Sequence, residues 1–309
     1  MIKIAILGAT SHIAKGLIFS FLNNTNYSLY LFARDTSSVN FFLESNSLIS
    51  GEIEVLIFDR FFDHHYDVII NCIGIADPGK LKDSGSSIIF VTETFDNMIL
   101  DYLKERKEAL YINFSSGAVY GTAFNKPVDY SSLSGIHVNE ITEKDYYRLA
   151  KLYSEAKHRS LKEFNIIDLR VFSYFSRYID LNTKFLMTDI VNAIINDDIF
   201  VTTDENIVRD YVHLDDLFGL INCCITKKNI NDVFDVYSRE PIEKFELLKV
   251  LNKEFGLKFI IENSISLVNA TGSKSVYFSE NKHASIIGYE PFYSSVDTIL
   301  FEIEKVLNY

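Results

Sequence analysis

Cysteine is scarce in this chain of 309 residues, with Cys72, Cys223 and Cys224 as the whole complement. Two of them are adjacent, none stands in C-x-x-C spacing and no histidine cluster accompanies them, so neither a zinc site nor a disulfide framework is expected. A reducing interior is the natural compartment. Proline is scarcer than linkers would demand, four residues in all, and no Ser/Gly/Pro tract, repeat or low-complexity stretch divides the sequence. Nowhere do about 18 apolar residues run together, as a membrane-spanning helix requires. The opening run 2–7 has no basic segment ahead of it and no small-residue cleavage site behind it, so it reads as a strand and not as a signal peptide. Basic residues are in deficit, 30 against 42 acidic, and the formal charge of −12 opposes nucleic acid and anionic membrane surfaces. A small anion is still admissible, because a phosphate responds to nearby helix termini and arginines rather than to the whole-protein sum. Apolar side chains, in contrast, make up 48% of the chain, enough for a large core and too many for disorder. The expectation is a soluble, cytoplasmic protein.

Apolar periodicity lays out strands at 2–7, 28–33, 53–58, 67–73, 110–114 and 166–172, with helices at 13–22, about 88–107 and 146–164 among them. β-branched residues fill the fourth strand, as in strands buried on both faces. The economical arrangement is an α/β fold with a parallel doubly wound sheet. Beyond residue 172 the pattern changes to a helix at 188–195, a short segment at 207–213, a helix at 214–226, a strand at 233–236 and a helix at 242–255. This predicts a smaller mixed α/β C-terminal lobe joined to the sheet in one body, with a cleft between them. Residues 1–171 are assigned to a dinucleotide-binding domain and 172–309 mainly to a substrate-binding lobe, with about 205–228 returning to pack on the first domain. The 25 phenylalanines and 18 tyrosines read as core and cleft lining rather than as nucleic-acid stacking platforms.

Between the first strand and the first helix stands Gly8-Ala9-Thr10-Ser11-His12-Ile13-Ala14, where a dinucleotide-binding fold needs its phosphate turn. Gly8 permits the tight turn, the backbone of Thr10, Ser11, His12 and Ile13 can face a pyrophosphate, and the helix N-terminus adds about half a positive charge. The usual second and third glycines are here Ser11 and Ala14, so Ser11 must leave room for the cofactor and Ala14 must allow close helix–sheet packing. A plain strand-to-helix turn is the alternative. The second strand ends in Phe32-Ala33-Arg34-Asp35. Arginine at this place favours the 2′-phosphate of NADP and an acid favours the ribose of NAD, so NADP is expected, with NAD as the alternative and a solvated Arg34–Asp35 salt bridge as the structural one. Asp59, ending the third strand, is placed to meet the adenine or to cap the strand.

Tyr147-Arg148-Leu149-Ala150-Lys151 puts a phenol and an ammonium at i and i+4 on one helix face. A nearby cation and an oxidised nicotinamide ring lower a tyrosine pKa from about 10 towards the working range, so Tyr147 can exchange a proton with a carbonyl or alcohol, help that contributes about 10²–10⁴-fold. Alone, this spacing is equally a surface Tyr–Lys pair. The fifth strand, however, runs into Ser115-Ser116-Gly117-Ala118-Val119-Tyr120-Gly121 at the carboxyl end of the sheet, where open α/β folds place their ligands, and Ser116 can donate a hydrogen bond to a substrate oxygen. Together with the glycine turn, Glu155 four residues after Lys151, Leu169-Arg170-Val171-Phe172, the run Arg209-Asp210-Tyr211-Val212-His213-Leu214-Asp215-Asp216 and the closing Ile287-Gly288-Tyr289-Glu290-Pro291, these segments give a chain that resembles, over nearly its whole length, the extended short-chain dehydrogenase/reductase family of nucleotide-sugar epimerases, dehydratases and ketoreductases.

The resemblance implies a Rossmann-type fold with Ser116, Tyr147 and Lys151 as the catalytic triad, Lys151 also holding the nicotinamide ribose. It implies Ile73, Gly74 and Phe172 beside the cofactor, and Arg209 on the pyrophosphate of a nucleotide sugar, for which a planar, permanently charged fork is suited. Pairing of Arg209 with Asp210 or Asp215 is the structural alternative. Ser173 takes the place, beside the sugar nucleotide, where many relatives carry asparagine. A 4,6-dehydratase uses Asp and Glu directly after the active-site hydroxyl; here those places hold Gly117 and Ala118, which transfer no proton. The expected reaction is therefore NADP-dependent reduction of a nucleotide-linked 4-keto-6-deoxy sugar, with the proton from Tyr147 and carbonyl orientation by Ser116. The alternatives are a nucleotide-sugar 4-epimerase with tightly bound NAD and a non-catalytic NADP-binding sensor or scaffold. The resemblance also implies a homodimer through the tyrosine helix, for which Leu149, Leu152, Tyr153 and Ala156 are available. No histidine spacing suggests a metal.

Overall fold

The computed structural model describes residues 1–24, 26–48, 52–74, 85–121, 124–227, 229–262 and 274–308. Strand β1 (Ile2–Leu7) ends at Gly8, whose φ is +75°, and a Cβ there would lie 3.0 Å from the Cys72 carbonyl. Glycine is thus required both by the turn and by the close approach of a neighbouring strand end. Helix α1 (His12–Leu22) follows, and the unit recurs as β2 (Tyr27–Phe32), α2 (Thr36–Ser45), β3 (Ile53–Leu56), β4 (Val68–Asn71), α3 (Ser87–Glu105), β5 (Leu110–Ser116), α4 (Glu143–Ser160) and β6 (Asn165–Val171). The second half contains β7 (Ser173–Tyr174), α5 (Leu186–Asn196), β8 (Ile199–Thr202), β9 (Val208–Arg209), β10 (Tyr211–Val212), α6 (Leu214–Thr226), β11 (Asn231–Val236), β12 (Ile242–Glu243), α7 (Lys244–Phe255), β13 (Lys258–Ile261), β14 (Val276–Tyr277) and α8 (Ser295–Leu307).

Seven parallel strands form the main sheet in the order β11-β6-β5-β4-β1-β2-β3. The order reverses between β1 and β4, so the carboxyl ends of these two strands open the crevice in which doubly wound sheets bind ligands. The strand alternation feeds two cores. Ile4, Ile6, Leu31, Ile70 and Ile112 face α1 and α6, while Ala5, Leu7, Tyr30, Ile69 and Tyr111 face α3. A third core around Phe175, Ile190, Leu248 and Ile299 holds the lobe together, with small sheets β10-β7, β12-β9-β14 and β13-β8 beside it.

Beyond residue 228, β11 adds the seventh strand of the main sheet, pairing with β6, and buries Phe234 and Val236 in the first core. Helix α4 begins at Glu143 rather than 146, since Thr142 and Asp145 form a reciprocal capping box. The third strand stops at Leu56 and gives way to a 3-10 turn, Phe58–Asp63. Helices α2 and α8 and strands β8 and β13 were not expected. Among the described residues, no helix is long and apolar enough to cross a membrane, and no group of three or more His, Cys, Asp or Glu is placed to hold a metal.

Candidate active site

The turn after β1 spends most of its backbone donors internally. The N–H groups of Gly8 and Ala9 go to the Phe32 carbonyl, at 2.9 and 3.0 Å, and that of Ser11 goes to Gly8 at 2.9 Å. Ser11 caps α1, its Oγ accepting the Ala14 N–H at 3.3 Å. The N–H groups of Thr10, His12 and Ile13 stand outside these hydrogen bonds, at the positive end of a helix and beside the sheet's crevice. This cradle, with a glycine where a Cβ would strike Cys72, suits the pyrophosphate of a dinucleotide. The His12 side chain turns away from it, Nε2 lying 2.9 Å from Ser176 Oγ and the ring 4.7 Å from that of Tyr174. Burial holds this imidazole neutral, its pKa lowered to about 4.

At the end of β2 Arg34 is exposed, while Asp35 caps α2, accepting the Ser37 and Ser38 N–H groups and the Ser38 hydroxyl. The Arg34–Asp35 salt bridge is not formed, and the Asp35 carboxylate is already committed. Asp59 lies exposed in the first turn of the 3-10 segment after β3. At the end of β4, Asn71 Oδ1 accepts the Ile73 N–H at 3.0 Å, which shapes the backbone leading to Gly74. A Cβ on Gly74 would stand 3.7 Å from the Lys151 ammonium, so these two sequence-expected residues do meet.

Lys151 is buried, and its Nζ donates to the Phe114 carbonyl at 2.8 Å. Burial pulls its pKa down, and Asp168, Asp96 and Glu155 pull it back. One turn earlier on α4 stands half-buried Tyr147, close enough to Ser116 for that hydroxyl to act on its phenol. Here the expectation from the sequence needs correcting: burial pushes the phenol's pKa up, and the nearby Ser116 hydroxyl is the influence that opposes it. The ammonium, anchored on Phe114, does not lower it in the protein alone. Ser116 caps the 3-10 turn Gly117–Tyr120, its Oγ accepting the Ala118 N–H at 3.2 Å.

Nothing in the residue pattern marks the next two residues. Tyr277, from β14, brings a second phenol to 3.4 Å from Ser116 Oγ. Lys274 places its ammonium 4.1 Å from the centre of the Tyr277 ring, and the Arg209 guanidinium lies 5.9 Å from the same centre. Burial, with Arg209 and Arg148 nearby, lowers the Lys274 pKa to about 8. Two cations, Lys274 and Arg209, thus face the phenol that reaches the serine, and Arg148 lies near enough to act on Lys274. Arg209 is buried and donates to the Val208 carbonyl, whereas Asp210 accepts the Ser238 N–H and Asp215 faces His213, so the structural pairings weighed for Arg209 are not made. Arg148 donates to Gly135 O at 3.0 Å and pairs with Asp145, walling a cavity of about 490 Å³ that Tyr120, Leu133 and Glu140 also line.

Phe172 lies on this side too, its ring 5.2 Å from that of Tyr277 and stacked 6.2 Å from that of Tyr120. A Cβ on Gly117 would collide with that ring. Glycine is therefore imposed at the position where a dehydratase would carry its acid. Ser173 is half-buried in β7, paired with Tyr211 of β10.

Residues 4–237 match the family model described as Epimerase, the NAD dependent epimerase/dehydratase family. No curated protein sequence matches the chain. Among solved structures, the UDP-glucuronic acid 4-epimerase from Bacillus cereus superimposes with a TM-score of 0.78 at 18% identity, covering 99% of both chains. The UDP-glucose-4-epimerase from Stenotrophomonas maltophila gives 0.80 at 15% identity, covering 100% of this chain and 98% of that one. The dTDP-glucose 4,6-dehydratase from Bacillus anthracis str. Ames gives 0.76 at 14%, covering 98% and 96%. At these identities the likeness is one of fold.

Proposed function

The chain belongs to the NAD dependent epimerase/dehydratase family, and from that premise we propose that it is a nucleotide-sugar 4-epimerase with retained NAD. The observation that carries this reading is the convergence of Tyr147 and the Ser116 hydroxyl, which acts on its phenol, with a buried Lys151 that faces Gly74. The three solved structures named above are two epimerases and a dehydratase, and Gly117, held by Phe172, speaks against dehydration.

When bound, the dinucleotide supplies a reversible hydride acceptor. Thr10, His12 and Ile13 would hold its pyrophosphate, the backbone at Ile73 and Gly74 would line it, and Lys151 would hold its ribose. Tyr147 takes the proton from the sugar's C4 hydroxyl and returns it to the same oxygen, while Ser116 orients that oxygen. Arg209 and Lys274 grip the diphosphate, so the hexose can turn about its anomeric link while the nucleotide stays in place. The sheet body thus binds cofactor, and the lobe built mainly from 172–309 binds the nucleotide sugar. A homodimer through the outer faces of α3 and α4, where Phe90 and Tyr153 are exposed, completes the proposal.

A second reading has one specific support. Arg34 is exposed and Asp35 is committed to its cap, which suits a 2′-phosphate and hence exchangeable NADP in a 4-keto sugar reductase. Cofactor extraction from purified protein, followed by assays on UDP- and dTDP-hexoses without added cofactor, separates the two. Retained NAD and sugar interconversion are expected; stoichiometric NADPH consumption with 4-keto sugars would reject the epimerase.

A further inference from the structure

Helix α4 buries a face that is polar along most of its length, with Lys151, Ser154, Glu155 and His158 all inside. The sheet answers with Asn113 and Ser115 of β5 and with Asp168 and Arg170 of β6, residues two apart that share one face. Ser115 donates to Glu155 at 2.5 Å and Arg170 pairs with it. Deepest is His158, with 0% of its surface exposed. Its Nδ1 lies 2.9 and 3.0 Å from the two oxygens of Asp168, and its Nε2 lies 2.7 Å from Asp96 of α3. The flanking residues repeat the pattern: Lys157 reaches Asp96 at 2.5 Å and Arg159 reaches Asp168 at 2.9 Å. Tyr111 donates to Asp96 and Asn113 to Asp168, at 2.9 and 2.7 Å.

With a carboxylate on each ring nitrogen, His158 can donate from both only as the imidazolium. Burial works against that charge, but Asp168 and Asp96 outweigh it and raise the pKa to about 9. The same two carboxylates are the foremost charges acting on Lys151, ahead of Glu155 and the Cys72 thiol. Lys151 and His158 lie seven residues apart, about 10 Å along the helix. The two acids bonded to His158 thus also act on Lys151.

We propose that His158 is a positioning residue of the catalytic site, its imidazolium neutralising part of the Asp96 and Asp168 charge so that these acids do not drive the Lys151 midpoint further up, and its two hydrogen bonds fixing α4 against α3 and β6. This rests on the assignment of Lys151 to the catalytic group. The charges concerned are Asp96 from α3, Asp168 and Arg170 from β6, Glu155, Lys157 and Arg159 from α4 itself, and Asp232 of β11, which acts on Arg159.

The test follows the Lys151 titration midpoint by NMR in full-length protein carrying ¹³Cε-lysine, the Lys151 signal being identified by its loss in Lys151→Met. His158→Gln removes a positive charge and should raise the midpoint by about half to one pH unit. Asp96→Asn removes a negative one and should lower it. The double variant restores the balance and should return the midpoint to the wild-type value, while its urea midpoint stays low because the staple is gone. A histidine that only braces the helix would lower stability and leave Lys151 unmoved; that result in folded His158→Gln overturns the proposal, as does an unchanged or raised midpoint in Asp96→Asn, the arm that stands if His158→Gln does not fold. Turnover by Tyr147→Phe is read in parallel: persistence of activity there contradicts the catalytic assignment, whatever the lysine midpoints show.

Discussion

At the scale of single residues, Tyr147 is the proposed proton carrier and Gly117 a steric necessity. Tyr147→Phe should reduce turnover by about 10²–10⁴-fold while cofactor content, measured by extraction, stays at the wild-type level. Gly117→Asp, which would install the acid of a dehydratase, drives a side chain into the Phe172 ring and should cost about 1–3 kcal/mol of stability, read from urea unfolding, without creating dehydratase activity. Ser116, Tyr147 and Lys151 were legible in the sequence because strand end and helical spacing are local properties. Tyr277 and Lys274 were not, since they reach Ser116 and Arg209 through the folding of the lobe over the sheet, a non-local juxtaposition that leaves no periodic trace. The Tyr147 acidity was misjudged for a similar reason. Spacing places the ammonium one turn away, but only the fold shows it donating to Phe114 while burial acts on the phenol.

At the scale of elements, α1 carries a serine cap where a dinucleotide turn usually has glycine. Ser11 Oγ holds the Ala14 N–H, a donor at the helix end that would otherwise be available to an anion. Ser11→Gly should therefore tighten NAD binding, measured calorimetrically on protein stripped of cofactor, and cost only a few tenths of a kcal/mol in stability; weaker binding would show that the hydroxyl helps the pyrophosphate. The sequence located β1, α1, α3, α5 and α6 to within a few residues because their apolar repeats are strong. It missed α2, whose opening Thr36-Ser37-Ser38 are poor helix formers held by the Asp35 cap. It missed α8 although Ser294 and Asp297 form a capping box, because the acid is Asp rather than the usual Glu or Gln. Strand β6 alternates as Ile167-Asp168-Leu169-Arg170-Val171, the pattern of a strand wet on one face; here that face is covered by α4, and its polar residues are satisfied by the helix instead of water.

At the scale of the whole molecule, buried ionisable groups tie the bodies together and set the pH range of stability. Glu302 of α8 joins Arg177 and His213, and despite its burial these partners lower its pKa to about 2. Its contribution is complete above an ordinary carboxyl pKa of 4.5 and is lost as pH falls through about 2. His12 is held neutral, with a pKa of about 4; the unfolded chain binds that proton more readily, so stability declines as pH falls from 6.5 towards 4. His158, raised to about 9, contributes fully below 6.5 and loses its contribution as pH rises through 9. Unfolding by urea should therefore be hardest near pH 6.5, and His158→Gln should flatten the alkaline decline. An unchanged alkaline slope in that variant would remove His158 from this explanation. The fold class and the sheet were readable from alternating periods, but the inclusion of β11 in the main sheet was not. A four-residue run such as 233–236 carries no mark of which sheet edge it joins, and that edge is set by the packing of α6 on α1 and by the burial of Phe234 and Val236 in the first core.

On the proposed function, Tyr147, Ser116 and Lys151 work on a nucleotide sugar around a cofactor that never leaves. This is tested most directly by giving purified wild-type protein, with nothing added, UDP- and dTDP-hexoses and resolving the C4 epimers by NMR. Epimer formation over many turnovers, abolished in Tyr147→Phe, is the predicted result. No interconversion of any hexose, together with conversion of 4-keto sugars only at the expense of added NADPH, would contradict it.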